Sequence, residues 1–177
     1  MVEFLDYARQ RKAILYYDPN FRKAHAHEAI RLAPTLLENF EYADIVRGSD
    51  EDFLNIFGET DSEKVYTDHI RFYCDRFITT HGAGGVNLYH GDRHRHFDSP
   101  AIRPVSTIGA GDNFNAGILY GLLKYMSATA TSSLSLRRHG RTSSGAGSIW
   151  LLRFATATTI TFLKNLRPPT SLSLKYH

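Results

Sequence analysis

Four consecutive residues, Gly109-Ala110-Gly111-Asp112, combine the means to hold an anion with a group able to take a proton. Two glycines before a helix leave bare backbone N–H groups at its positive end, a ready seat for a phosphate. Asp112 falls in the first turn, where a carboxylate is mildly favoured by the helix dipole. A carboxylate there can deprotonate a hydroxyl that attacks the phosphate. The helix itself is read from Phe114, Ile118, Leu122 and Tyr125, which recur at three- and four-residue spacing. A short extended run, Ile102 to Thr107, interrupted by Pro104, delivers the chain to the turn. The same pattern also suits a plain strand-to-helix turn, with glycines for geometry and Asp112 as a cap.

The longer string discriminates between these readings. Thr107, Gly109, Ala110, Gly111, Asp112, Phe114, Ala116 and Gly117 all match D-T-x-G-A-G-D-x-F-x-A-G. The stretch resembles the second signature of the ribokinase-like (PfkB) carbohydrate kinases. The resemblance implies that Gly109, Ala110 and Gly111 form an anion hole and that Asp112 is the catalytic base, in contact with the substrate hydroxyl. Thr107 would lie on the nucleotide side. Ser106 stands where the family carries its first Asp.

Three upstream segments fit the same family. Asp18, Asn20 and Arg22 match the D-x-N-x-R string that follows a central strand. Asp18 would face the substrate side and Asn20 the phosphate side of the cleft, although Asp and Asn are also ordinary turn formers. Thr80, Gly82 and Gly85 match T-x-G-x-x-G, which would run along the ATP phosphates or ribose; a hairpin turn rich in glycine looks the same. Ser49 and Asp52 occupy the place of N-x-x-E, which organises magnesium through water. Locally they read as a helix N-cap and its reciprocal partner.

The elements that would position these groups follow from periodicity. A helix covers Met1 to Arg11, with Phe4, Leu5 and Ala8 on one face. A buried strand, Ala13 to Tyr17, stops at Pro19. His25 to Phe40 is helical, with Ile30, Leu32, Leu36 and Leu37 inside and a break or kink at Pro34. Tyr42 to Val46 is a second strand. A helix over Ser62 to Cys74 presents Val65, His69, Phe72 and Tyr73, and strands follow at Phe77 to Thr80 and Val86 to Tyr89. His96 and Phe97 open the strand pair that leads on towards Pro104. His90, His94 and His96 with Asp92 and Asp98 alternate on a short hairpin, with His94 and His96 on one face. Without a cysteine among them they are read as a solvated hairpin rather than a zinc site.

Alternating strands and helices predict an α/β fold, and the resemblance makes it a three-layer ribokinase-like (Rossmann-like) sheet flanked by helices. The match covers Ala13 to Tyr125, so residues 1–125 are read as a partial kinase core with the family's N-terminal half and lid missing. Residues 126–177 form an atypical Ser/Thr/Arg-rich tail without a single Asp or Glu. A slipped reading frame or a poorly ordered basic tail accounts for such a shift.

Composition bounds the remaining possibilities. The chain has 177 residues, 42% hydrophobic and 22% charged, enough for a real core. A net charge of +3 with scattered basic residues gives no footprint for nucleic acid, the small Arg137, Arg138, Arg141 cluster included. Leu151 to Leu163 is too short and too rich in threonine to span a bilayer. Glu3, Asp6 and Arg9 interrupt any signal-like apolar run, and the single cysteine, Cys74, suits a reducing compartment. A cytoplasmic protein is expected.

The function implied is ATP-dependent phosphorylation of a sugar hydroxyl, as in fructokinases and ribokinases, with Mg2+ on the phosphates and K+ beside the loop by analogy. Its partners would be a small sugar and ATP, with self-association into a homodimer. With the sugar-reading half missing, activity of this chain is expected to be impaired. The alternative is a non-catalytic kinase fragment that binds nucleotide weakly.

Overall fold

The computed structural model describes residues 2–99 and 109–136. The chain divides into two compact units, Met1–Ser99 and Pro100–His177. The first is built on a five-stranded sheet in the order β1-β2-β3-β4-β5: β1 (Tyr16–Tyr17), β2 (Ile45–Ser49), β3 (Arg76–Thr80), β4 (Val86–His90) and β5 (Arg93–Phe97). The first three strands run parallel, and β4 and β5 add an antiparallel hairpin to the edge. This is the α/β sheet expected from the alternation of apolar runs.

Parallel strands need crossover connections, and helices supply them. After α1 (Val2–Gln10), a 3-10 turn over Lys23–Glu28 and α2 (Ala29–Tyr42) link β1 to β2. Between β2 and β3 lie α3 (Asp50–Phe57) and α4 (Ser62–Val65), the latter passing into a wide π-type turn over Tyr66–Ile70. The core joins α2, α3 and that turn to one face of the sheet. Phe40, Val46, Phe53, Ile70 and Phe77 are all at most 1% exposed there. Phe53 packs edge-on against Phe77, and Tyr66 stacks on Phe77 and Tyr89. Gly48 makes this possible: a Cβ on it would lie 2.6 Å from the Phe53 ring.

Several details differ from the sequence expectations. The first strand is only two residues long and half-buried, held through the backbone N–H of Leu15 on Asp44 Oδ2 at 2.8 Å. The second strand starts at Ile45, because α2 continues through Tyr42. Pro34 does not end α2. The hydrogen bond it forfeits would have used the carbonyl of Ile30, and Ile30 is 92% exposed, so water can serve that group. Ile30 is therefore outside rather than in the core, on the same outward stripe as Pro34. Phe4 is likewise exposed, while Ala8 on the same helix is buried. The expected long helix from Ser62 to Cys74 is instead a short helix and a π-type turn. That extra residue per turn rotates the buried face to Val65, Tyr66, Ile70 and Cys74 and leaves Phe72 83% exposed.

In the second unit, α5 (Ala110–Leu136) follows Gly109, which has φ +77. Phe114, Ile118 and Leu122 are buried along one stripe, as their spacing predicts, whereas Leu119, Tyr120 and Leu123 face outward. Among the described residues no helix is long and apolar enough to cross a membrane. The expected strand Ile102 to Thr107, the basic cluster at Arg137, Arg138 and Arg141, the run Leu151 to Leu163 and the tail past Leu136 lie outside the described residues.

Candidate functional site

In an open parallel sheet, ligands gather outside the carboxyl ends of the strands. The first unit brings three of the motif segments to that edge: Asp18 and Asn20 follow β1, Ser49 and Asp52 follow β2, and Thr80, Gly82 and Gly85 follow β3.

A buried arginine ties two of them together. Arg47, in the middle of β2, donates through Nη1 to Asp18 Oδ2 at 2.7 Å and through Nη2 to Thr80 Oγ1 at 3.0 Å. The two ion-paired side chains are 7% and 15% exposed. Burying a guanidinium is costly unless it is paired and hydrogen-bonded, so Asp18 and Thr80 are fixed as the ends of one bridge across three strands. The Tyr16 hydroxyl shares this environment. Burial raises its pKa well above the usual phenol range, with the Arg47 charge opposing and the Asp18 charge adding to the rise.

The other Asp18 oxygen shapes the turn. Oδ1 accepts the backbone N–H of Asn20 at 3.1 Å. Asn20 itself has φ +44, in the left-handed region that asparagine tolerates better than most side chains. The D-x-N spacing is thus a local turn device as well as a family string. Ser49 and Asp52 form the expected capping box: Asp52 N–H donates to Ser49 Oγ at 3.2 Å, and Ser49 N–H donates to Asp52 Oδ2 at 2.7 Å. The Ser49 hydroxyl adds a 2.6 Å bond to the same carboxylate oxygen. Asp52 is buried as a result, with Oδ2 committed to the cap.

After β3 the chain makes a tight turn, Gly82–Gly84, with Gly82 at φ +52 and Gly85 at φ +89. A Cβ on Gly85 would meet the Phe97 carbonyl oxygen at 2.2 Å, so only glycine fits against β5 there. His81 holds both ends of the turn: its N–H donates to the Gly85 carbonyl and its carbonyl accepts from Gly84 N–H, each at 2.8 Å.

In the second unit, Gly109 is the residue before α5, and its carbonyl accepts the first helical bond, from Asn113 N–H at 2.9 Å. Ala110, Gly111 and Asp112 are the first three helical residues. The expectation of two glycines ahead of the helix is therefore corrected: Gly109 precedes it and Gly111 lies within its first turn. The N–H groups of this turn have no intrahelical acceptor. Asp112 is exposed at the third helical position, where its carboxylate can reach a group seated on those N–H donors. Thr107 lies outside the described residues.

Sequence reading missed Arg47, Ser62 and His81. Arg47 carried a usable signal, a lone charge in the apolar run Ile45-Val46-Arg47, since a central parallel strand is buried on both faces. Ser62 and His81 carried none, because their partners are far apart in sequence. The hairpin histidines behave as expected in part. His94 and His96 do share one face, where both contact Asn87 Oδ1 at 3.0 and 2.9 Å. Among the described residues no group of three or more His, Cys, Asp or Glu is placed to hold a metal ion.

Comparison with known proteins agrees with this arrangement. The model of the pfkB family of carbohydrate kinases matches residues 1–161. A fructokinase of Escherichia coli is 31% identical over 107 residues, which are 60% of this chain and 35% of that enzyme. A ribokinase of Lactococcus lactis is 26% identical over 113 residues, 60% of this chain and 36% of the relative. The chain therefore spans little more than a third of either protein. Among solved structures, aminoimidazole riboside kinase from Salmonella enterica superposes with a TM-score of 0.63 at 21% identity, over 90% of this chain and 47% of that one. Fructokinase from Vibrio cholerae O395, solved with fructose, ADP and calcium, superposes at 0.59 with 26% identity, over 67% of this chain and 38% of that one. Sheet order, the glycine turn at the head of α5 and the match over most of its length agree: the chain belongs to the pfkB family of carbohydrate kinases.

Proposed function

We propose that this chain carries the phosphate-handling side of an ATP-dependent sugar kinase, with fructose or a related ketose as acceptor. The observation that supports it most is the head of α5, where Gly109 at φ +77 opens a helical turn whose first N–H groups have no intrahelical acceptor, beside an exposed Asp112. In this reading Asp112 takes the proton of the attacking sugar hydroxyl. The N–H groups of Gly109, Ala110 and Gly111 stabilise charge on the transferred phosphoryl group.

Thr80, Gly82, Gly85, Asn20 and Thr107 are assigned to the nucleotide, and Asp18 to the substrate side, where Arg47 holds it rigid. Magnesium would neutralise charge on the ATP phosphates. The described residues offer no cage for a bare ion, which suits an ion that arrives with phosphate oxygens and keeps its waters. Asp52 would meet it only through water, by its remaining oxygen. A potassium ion near the loop, a cytoplasmic location and a homodimer belong to the same proposal.

Aligning two substrates supplies much of the rate in such reactions. A chain spanning about a third of its relatives' length is expected to bind nucleotide more readily than it turns over. The test is ADP release by the purified protein with Mg-ATP and a panel including fructose and ribose. Sugar-dependent release that falls about 10²- to 10⁴-fold in Asp112→Asn is the expected signature of a general base. Nucleotide binding without sugar-dependent release would favour the non-catalytic reading, and absence of both would sink the assignment.

A further inference from the structure

The glycine turn after β3 is held by a chain of side-chain hydrogen bonds that neither the family strings nor the catalytic assignment uses. It starts at His81, whose backbone closes both ends of the turn. The imidazole Nε2 lies 2.6 Å from Ser62 Oγ and 3.3 Å from Thr79 Oγ1, while Nδ1 faces Asp50 Oδ2 at 3.5 Å. Ser62 Oγ also receives Asn87 Nδ2 at 3.0 Å. Asn87 then turns its Oδ1 to His94 Nε2 and His96 Nδ1. Elements α3, α4 and β3 thereby meet on the His81 ring, and β4 and β5 are linked to it through Ser62 and Asn87.

The donor and acceptor roles in this chain can be worked out by elimination. Asn87 Nδ2 can only donate, so Ser62 Oγ accepts from it. The Asn87 oxygen can only accept, so His94 carries its proton on Nε2 and His96 carries one on Nδ1. Ser62 has a single hydrogen, and its shortest partner is His81 Nε2. Nδ1 faces the Asp50 carboxylate, which only accepts, so the His81 proton is placed on Nδ1 and Nε2 is left to accept from the Ser62 and Thr79 hydroxyls.

The set has the composition of a Ser–His–Asp triad, yet it is not built to attack. Ser62 is only 7% exposed, and its hydroxyl is held between His81 Nε2 and Asn87 Nδ2. Instead it fixes a ring whose own backbone defines the turn.

We propose that His81 is a positioning residue: Ser62 and Asn87 lock its ring as the Nδ1–H tautomer, and the locked ring sets the Gly82–Gly85 turn for nucleotide. The second half of this statement rests on the nucleotide assignment made above, whereas the lock itself does not. Its consequence is that a residue remote from the turn in sequence controls the turn's geometry.

Two-bond proton–nitrogen correlation on uniformly labelled protein, at a pH where the imidazoles are neutral, reads the tautomers directly. The expected pattern is protonated Nδ1 in His81, protonated Nε2 in His94 and protonated Nδ1 in His96. A His81 proton on Nε2, or a fast-averaged ring, would overturn the proposal without any variant being made. Ser62→Ala should then speed amide exchange at Gly84 and Gly85 and weaken ADP binding about tenfold, the loss of roughly one buried hydrogen bond to the ring. His81→Gln, whose amide oxygen can take the Ser62 proton, should recover most of that affinity, and His81→Phe should not. Unchanged exchange in Ser62→Ala, or equal affinities for His81→Gln and His81→Phe, would also count against it. If the wild-type chain binds no ADP, the nucleotide assignment fails instead, and tautomers with exchange still decide the lock.

Discussion

Arg47 and Asp18 meet at 2.7 Å through Nη1 and Oδ2, although one sits in the centre of β2 and the other just past the end of β1. The guanidinium continues to Thr80 Oγ1, so one side chain joins the carboxyl ends of three parallel strands. This is where the chain places the groups proposed above for substrate and nucleotide. The bridge holds Asp18 still, which a freely rotating surface aspartate would not be.

Removing one partner leaves the other charge buried, which is more costly than removing both. Asp18→Ala is expected to lower unfolding stability by about 3 kcal/mol, a large share of a typical domain's margin. Arg47→Met with Asp18→Ala should recover part of that loss, because the double variant strands no charge. Urea denaturation of the two single variants and the double variant measures this directly. Additive losses would show that the pair is not coupled.

The capping box gives Asp52 a structural job whether or not a metal ever approaches it. Asp52→Ala should cost about 1 kcal/mol, the usual value of a lost N-cap partner. Asp52→Asn keeps an acceptor for Ser49 N–H and should cost less. If Asp52 also touches magnesium through water, the Asn variant will need more magnesium for nucleotide binding than its small loss of stability accounts for. An identical magnesium titration would restrict Asp52 to the cap.

Gly48 is required by space rather than by backbone angle. Its absent Cβ leaves room for Phe53, which otherwise would sit 2.6 Å away and is itself stacked on Phe57 and packed edge-on against Phe77. Gly48→Ala is expected to destabilise by about 1–3 kcal/mol, the range for overpacking a closed core. Gly48→Ala combined with Phe53→Leu should be less damaging than Gly48→Ala alone. Thermal unfolding of both variants checks the pairing.

Alkaline pH should weaken the fold. Burial raises the pKa of Cys74 above its ordinary 9.0 and of Tyr16, Tyr17, Tyr66 and Tyr89 above 10.0. Each of these groups is neutral when protonated and holds its proton longer in the folded state. Stability is therefore fully present below pH 9.0, where both states are protonated, and falls as pH rises through and beyond 10.0. Melting temperatures across this window should decline, and Tyr16→Phe should make the decline shallower. A flat profile would mean that these groups titrate alike in the folded and unfolded chain. By the same burial, Cys74 should react with alkylating reagents only as the chain unfolds.

Local chemistry was legible in the sequence wherever it depends on neighbours along the chain. The Ser49–Asp52 cap, the Asp18–Asn20 turn, the positive-φ glycines and the buried stripe Phe114, Ile118, Leu122 all follow from spacings of two to four residues. So does the family, because its strings are contiguous. Ile30 and Phe72 were misjudged because periodicity gives the repeat of a helix but not which way it faces, and at Phe72 a π-type turn rotates the face. What only the tertiary structure decided is the set of partners held across the sheet. Arg47 finds Asp18 and Thr80, and His81 finds Ser62 and Asp50, because strands and helix ends far apart in sequence lie side by side. A buried charge or ring must be satisfied by whatever the fold brings within three ångströms or so, and no spacing along the chain encodes that distance.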